Sequence, residues 1–312
     1  MDWSILNKTV TAINHYLDVC QGALSTFWKE DRSPVTIADI GVQVLVNQMI
    51  RRYFPQDRLF SEEHTQSLSA SILDTTLSNL RHSGHPLDDQ ELRLLLDYRG
   101  NGKSPYCWFV DPIDGTKGYL RQGQFAVALA RYHENEALCA CLVCPQLCYP
   151  TLGTDQIGTV FYWEKGSLAI QYHLKNLNQS EQISCGGSAQ PIILRSVEKE
   201  HGNMDINEKL RHLLHLESFI AMDSQAKYGL LTRKEASVYL RMPNDLTYQE
   251  KTWDHGAGLA LVCAAGGTVT DSFGNPLDFT QGETLNQNRG VLATIGIDHK
   301  LALNKLKTII QI

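Results

Sequence analysis

The spacing of apolar residues changes character twice along this chain of 312 residues. Over 2–30 and 37–53, apolar positions recur at three- and four-residue intervals, which predicts two amphipathic helices. From Cys107 the period shortens. YCWFVDP, FAVALARY, ALCACLVCP and TVFYW are short apolar or alternating runs parted by polar, Gly- or Pro-containing turns, which predicts a mostly antiparallel meander. After Cys185-Gly-Gly the two periods alternate, with strands expected near 191–197, 218–222 and 237–241 and helices near 206–214, 225–232 and 254–265. Such alternation builds a layered α/β unit. Two units are therefore expected, an N-terminal α+β unit over 1–185 and a C-terminal α/β unit over 186–312. The polar stretch over 66–104, which contains the turn Arg99-Gly-Asn-Gly-Lys, is expected to form a mobile flap.

Composition narrows the partners. At 43% hydrophobic and 20% charged the chain is an ordinary globular protein, and a net charge of −6 supplies no basic field for a nucleic-acid polymer. A small anionic ligand remains open, held by local cations or metal. No apolar run approaches the ~20 residues of a membrane span. The opening MDWSILNKTV lacks a basic-then-apolar leader, so a cytoplasmic chain is expected, with no membrane association and no obligate protein partner. Eight cysteines without an export signal fit reduced thiols. Cys139, Cys141, Cys144 and Cys148 could in principle ligate a metal, but their spacing is not a paired C-x-x-C. ALCACLVCPQL reads instead as a buried strand with Cys139 and Cys141 on one face.

The strongest chemical signal is WFVDPIDGTKGYL, where an apolar strand ends in Asp111-Pro112-Ile113-Asp114-Gly115-Thr116. Pro112 fixes φ and removes a donor, which turns the chain and can aim the carboxylates of Asp111 and Asp114 and the carbonyl of Ile113 at one point. Hard divalent cations take such oxygen ligands. Gly115 lets the backbone approach an anion, and a helix starting at Thr116 would turn its first N–H groups toward a phosphate. A surface Asp-Pro turn followed by an Asp-Gly turn would explain the same residues without function. Glu62 and Glu63 follow an apolar pair in DRLFSEEH, where a buried strand emerges; elsewhere a Glu pair is usually a solvated surface. Asp254 opens an apolar run at Trp253-Asp254-His255-Gly256 and could point from a helix tip toward the same ions, or merely complement the helix dipole. His255 reads as structural or solvent-facing. Asp39 in SPVTIAD is explained locally by a capping box with Thr36.

Together these segments resemble the lithium-sensitive, magnesium-dependent phosphatases of the inositol monophosphatase superfamily. An acidic pair after a strand, the D-P-I-D-G-T turn and a late W-D helix start occur here in that order. KEDRSPVTIAD, DGTKGYLRQGQFAVALA and DSQAKYGLL…VYLRMP…YQEKTWDHGAG narrow the likeness to the 3′(2′),5′-bisphosphate nucleotidases, over 29–294. Small departures are Ser61, His64, Tyr119 and Gly256, none of which removes a ligand. The resemblance implies a layered α-β-α-β-α sandwich and two or three Mg²⁺ ions held by Glu62, Asp111, Asp114, Asp254 and the Ile113 carbonyl. It implies that Asp39 and Thr116 activate water. It also implies that Gly115, Thr116, Glu198, His201, Ser224, Lys227 and Arg241 contact the substrate, although Lys227 and Arg241 could be surface charges and Ser224 only a helix cap. The implied reaction is hydrolysis of the 3′-phosphate of adenosine 3′,5′-bisphosphate in sulfur assimilation, with its sulfated precursor as a further substrate. An inositol polyphosphate 1-phosphatase and a nucleotide-binding regulator without turnover are the rivals.

Overall fold

The computed structural model describes residues 2–20, 26–28, 34–149, 156–198, 203–245 and 248–310. Two helices open it, α1 (Trp3–Cys20) and α2 (Ile37–Tyr53). The first ends ten residues before the periodicity suggests. Thr26–Trp28 form a strand, β1, antiparallel to β2 (Pro34–Thr36). The aromatic pair Phe27-Trp28, which looks helical by spacing, suits a strand better by side-chain type. Two further helices, α3 (Ala70–His82) and α4 (Asp89–Leu96), occupy the stretch expected to be a mobile flap. That expectation is corrected: Ile72, Leu73, Leu80, Leu92, Leu95 and Leu96 are buried in the core with α1 and α2. Polar outer faces hide a narrow apolar stripe at helical spacing.

The large sheet has seven strands in sequence order: β3 (Arg58–Ser61), β4 (Tyr106–Asp114), β5 (Ala126–His133), β6 (Glu136–Cys148), β7 (Ile157–Glu164), β8 (Ile170–His173) and β9 (Asn176–Gln182). All its pairings are antiparallel except β3 with β4. The meander was expected; the parallel edge pair was not. Alternation along the strands feeds two cores. Trp108, Val110, Val127, Leu129, Cys139 and Cys141 face α1 to α4. Phe109, Ala128, Ala130, Ala140, Leu142 and Cys144 face the opposite way. Cys139 and Cys141 therefore lie on the other face from Cys144, and burial pushes the Cys139 thiol up to about 11 and that of Cys141 well above its usual range. They serve as small apolar core residues.

The second sheet runs β11 (Ser218–Ala221), β10 (Ile192–Arg195), β12 (Val238–Arg241), β14 (Val291–Thr294), β13 (Thr268–Thr270) in space. Between the two sheets lie α7 (Ala226–Thr232) and α8 (Gly256–Ala264), whose Ala226, Tyr228, Ala257, Ala260 and Leu261 join the core shared by both. Gly258 permits this closeness, since a Cβ there would stand 2.0 Å from Tyr228 Cδ2. On the outer face, Ile193, Val238, Leu240 and Leu292 pack on α6 (Met204–Leu213) and α9 (His299–Ile310). The layers are thus helix, seven-stranded sheet, helix, five-stranded sheet, helix, as the resemblance implies.

Candidate active site

Two details of the first sheet gather its carboxylates. The parallel register of β3 with β4 ends at Ser61 beside Val110, so Glu62 leaves β3 next to Asp111, which continues along β4. Along β4, Asp111 pairs with Ala128 and Asp114 with Ala126, which places one extra residue on β4. In a regular strand positions three apart face opposite ways, but a bulge restores the phase and returns Asp114 to the face of Asp111. Pro112 lies in the bulge, where a missing N–H costs no ladder bond.

Glu62, Asp111, Ile113, Asp114, Gly115 and Thr116 all line one cavity of about 340 Å³. Ser224, Lys227, Arg241, Asp254 and Glu198, which come from the second sheet and the segments beside it, line it too. Of the Glu pair, Glu62 lines the cavity whereas Glu63 is buried in the interior. Asp39 does not line it. It lies buried behind Thr116, whose hydroxyl is 3.4 Å from Asp39 Oδ1 and 3.1 Å from the Ile113 carbonyl. The capping box is also present: Asp39 Oδ2 accepts from the N–H and the hydroxyl of Thr36, at 2.8 and 2.6 Å. His201 lies outside the described residues.

Asp111 is the most exacting group. It is buried, and its Oδ1 has no hydrogen-bond partner among the described residues. Burial, followed by the charges of Glu62, Asp114, Asp254 and Asp39, holds its carboxyl well above the usual range. Asp114 accepts from the N–H of Gln225 at 2.5 Å, which ties the bulge to the start of α7. Gly115, just before the short helix α5 (Thr116–Leu120), takes φ +84°, and a Cβ there would come 3.0 Å from Ser224 Cβ, so glycine is needed both for the turn and for the approach.

The opposite wall carries cations, and both are interior. Arg241 donates from Nε to Glu250 at 2.8 Å and from Nη2 to Asp254 at 3.1 Å. His255 Nε2 lies 3.2 Å from the same Glu250 oxygen, and its Nδ1 lies 2.8 Å from the Tyr228 hydroxyl. Burial lowers His255 and raises Tyr228, which assigns a neutral imidazole that donates to Glu250 and accepts from Tyr228. Ligand atoms of Glu250, Asp254 and His255 all lie within 4.8 Å of one another, but Arg241 already provides the cation there. His255 is structural, as expected, and fully buried rather than solvent-facing. Lys227 donates to the carbonyls of Met222 and Ser224 at 2.9 and 2.6 Å, and burial lowers its ammonium to about 8. Neither cation is a surface charge. Ser224 Oγ accepts from Ala226 N–H at 3.2 Å, but the N-cap of α7 is Gln225, so Ser224 lies one residue before the cap. Asp254 precedes α8 in a turn instead of starting it.

Of the lining residues, Lys117 and Asp223 gave no sequence signal. Lys117 and Glu198 meet at 3.3 Å across the cavity mouth, and Arg121 bridges Glu198 and Asp223 at 2.6 and 2.8 Å. Glu250, four residues before Asp254, has no pattern to separate it from a surface acid.

The inositol monophosphatase family matches residues 8–310. A 3′(2′),5′-bisphosphate nucleotidase of Emericella nidulans is 36% identical over 307 residues, covering 87% of each chain. Its namesake in Dictyostelium discoideum is 33% identical over 95% of this chain and 92% of its own. Among solved structures, the IMPase of Thermotoga maritima superposes with a TM-score of 0.64 at 19% identity, covering 99% of this chain and 97% of its own. An IMPase/NADP phosphatase complexed with NADP and Ca²⁺ gives 0.64 at 16% identity, over 97% of this chain and 93% of its own. The layered fold, the bulged D-P-I-D-G-T strand end and these relatives agree, and the chain belongs to the inositol monophosphatase family.

Proposed function

We propose that this chain is a magnesium-dependent phosphomonoesterase that removes the 3′-phosphate of adenosine 3′,5′-bisphosphate, yielding AMP and phosphate. The observation that carries this is the meeting of Glu62, Asp111, Asp114 and Asp254 on one cavity with Lys227 and Arg241, where the buried Asp111 carboxyl is held well above its usual range by burial and its acidic neighbours, in a chain whose relatives bear the name 3′(2′),5′-bisphosphate nucleotidase. The donor set suits Mg²⁺: hard carboxylate oxygens, a carbonyl, and the buried Asp111 Oδ1 left without a hydrogen-bond partner among the described residues. Glu62, Asp111, Asp114, Asp254 and the Ile113 carbonyl would hold the ions. Bound Mg²⁺ lowers the pKa of water and offsets charge on the transferred phosphoryl group.

The remaining work falls to the protein. Thr116, between Asp39 and the cavity, orients the attacking water; as it takes the water's proton, its own hydroxyl proton passes to Asp39 Oδ1. Asp39 stays in place because Thr36 holds its other oxygen. Arg241, set by Glu250, and Lys227 face the nucleotide beyond the reacting phosphate, while Gly115 lets that phosphate approach the backbone. No covalent enzyme intermediate is required, since phosphoryl transfer depends mainly on positioning and charge stabilisation.

Phosphate release from adenosine 3′,5′-bisphosphate and from inositol 1,4-bisphosphate, measured side by side across a Mg²⁺ titration, tests this. The nucleotide is expected to react faster, only with Mg²⁺, and with inhibition by Li⁺ exceeding that by Na⁺. Faster release from the inositol bisphosphate, or none from either, overturns the proposal.

A further inference from the structure

The registered pairing of β3 stops at Ser61, so something other than the sheet must hold the chain that carries Glu62. Gln43 does. It is fully buried on α2, one turn beyond Asp39 and on the same helix face. Its side-chain amide meets the peptide of residue 63 as a neighbouring strand would. Oε1 accepts from the Glu63 N–H at 2.8 Å, and Nε2 donates to the Glu63 carbonyl at 2.7 Å and to the Leu96 carbonyl at 3.1 Å. Arg99 donates to the same two carbonyls, each at 2.9 Å. An apolar residue would fill the Gln43 site without desolvating an amide, so its amide is there for these partners.

We propose that Gln43 is a positioning residue: by pairing with the N–H and the carbonyl of Glu63, it ties the backbone beside Glu62 to α2, one helical turn from Asp39. The backbone next to Glu62 is then placed by a rigid helix instead of by the β3 exit, which runs on past its last strand partner. This rests on the reading that Glu62 and Asp39 serve one Mg²⁺-dependent site. Asn47 supplies the comparison. One turn further along α2 it is equally buried, and its Nδ2 donates to the Leu95 carbonyl at 2.8 Å. Its hydrogen bond reaches α4 and not Glu62 or Glu63.

The test is calorimetric titration of Mg²⁺ into the full chain, alongside metal-free thermal unfolding and the Mg²⁺ dependence of phosphate release. Gln43→Met leaves both shared carbonyls paired with Arg99 and removes the Gln43 acceptor from the Glu63 N–H. It is expected to weaken Mg²⁺ binding roughly 10- to 100-fold, the range for residues that orient metal ligands, and to move half-saturation of turnover by the same factor. Asn47→Leu is expected to lower the unfolding temperature and leave the Mg²⁺ titration unchanged. Should Gln43→Met fail to fold, Gln43→Asn keeps the amide but shortens its reach, and the same weakening is expected. A folded Gln43 variant whose Mg²⁺ titration superimposes on that of the unmodified chain overturns the proposal, as does an equal shift in Asn47→Leu. Failure of both Gln43 variants to fold also overturns it, because the residue then serves stability alone. An unmodified chain that binds no Mg²⁺ and releases phosphate without it overturns the underlying reading instead.

Discussion

Asp111, which lines the cavity, and Glu250, which lies against the lining residue Arg241, are both buried carboxylates, 3% and 2% exposed, yet their surroundings push them in opposite directions. Burial raises both. At Asp111 the neighbouring charges are four more carboxylates, which raise it further. At Glu250, Arg241 and the hydrogen bond from His255 outweigh burial and hold the carboxyl down at about 2. Burial alone therefore says little about a carboxylate's task. At the end of β4 Asp111 lies among further acids, whereas Glu250, before α8, lies against Arg241 of the five-stranded sheet. The first arrangement calls for a ligand, whereas the second holds a side chain in place.

Removing one charge from each side should separate the two most sharply. Asp111→Asn is expected to cut phosphate release by at least ~10³-fold, through several kcal/mol of lost charge stabilisation. Metal-free thermal stability should stay level or rise, because the empty cluster repels itself. Near-normal turnover at saturating Mg²⁺ would break the comparison. Glu250→Gln should do the converse, destabilising the fold by about 3 kcal/mol because Arg241 loses its buried counter-charge, as read by denaturant unfolding. An unchanged midpoint would show that Asp254 alone neutralises Arg241.

Arg241→Ala should lower kcat/KM for adenosine 3′,5′-bisphosphate by about 1.5–3 kcal/mol, with a much smaller loss for a simple phosphomonoester. Equal losses on both substrates would assign Arg241 to the architecture and not to recognition. Lys227 gives a pH test. Unfolded, it keeps its proton to about pH 10.4, but folded it releases it near 8. Between these values the unfolded state binds more protons, so stability rises with pH, by at most about 1.4 kcal/mol per unit. Lys227→Met should flatten that slope in denaturant titrations from pH 8 to 10. Smallest of all, Arg121→Ala at the cavity mouth, where the side chain is 48% exposed, should change stability by under about 1 kcal/mol.

How far the sequence could be read follows the same division. The strand ending at Asp114, the helix after Thr36 and the alternation from β10 to β12 were legible because their apolar periods are strong. Helices α3 and α4 were not: their polar faces dominate a short stripe of leucines. Strand β9, NLNQSEQ, carries almost no apolar signal, because it is an edge strand with mostly exposed side chains. At the site, Asp111 and Asp114 stood out through the turn residues around them. Glu250 and Gln43 did not, because their importance lies in partners far away in sequence.

The bulge at Pro112 sets a rule about chain length rather than chemistry. Three residues apart, the two carboxylates share a face because β4 counts three steps where β5 counts two. Conservative replacements within Pro112-Ile113 would leave that count alone, whereas deleting either residue would close the bulge: two steps against two restore a regular strand, with both acids still on one face but without the extra residue that bends β4 between them. In this segment the number of residues matters as well as their identity, since the bend between the two acids exists only while β4 carries one residue more than its partner.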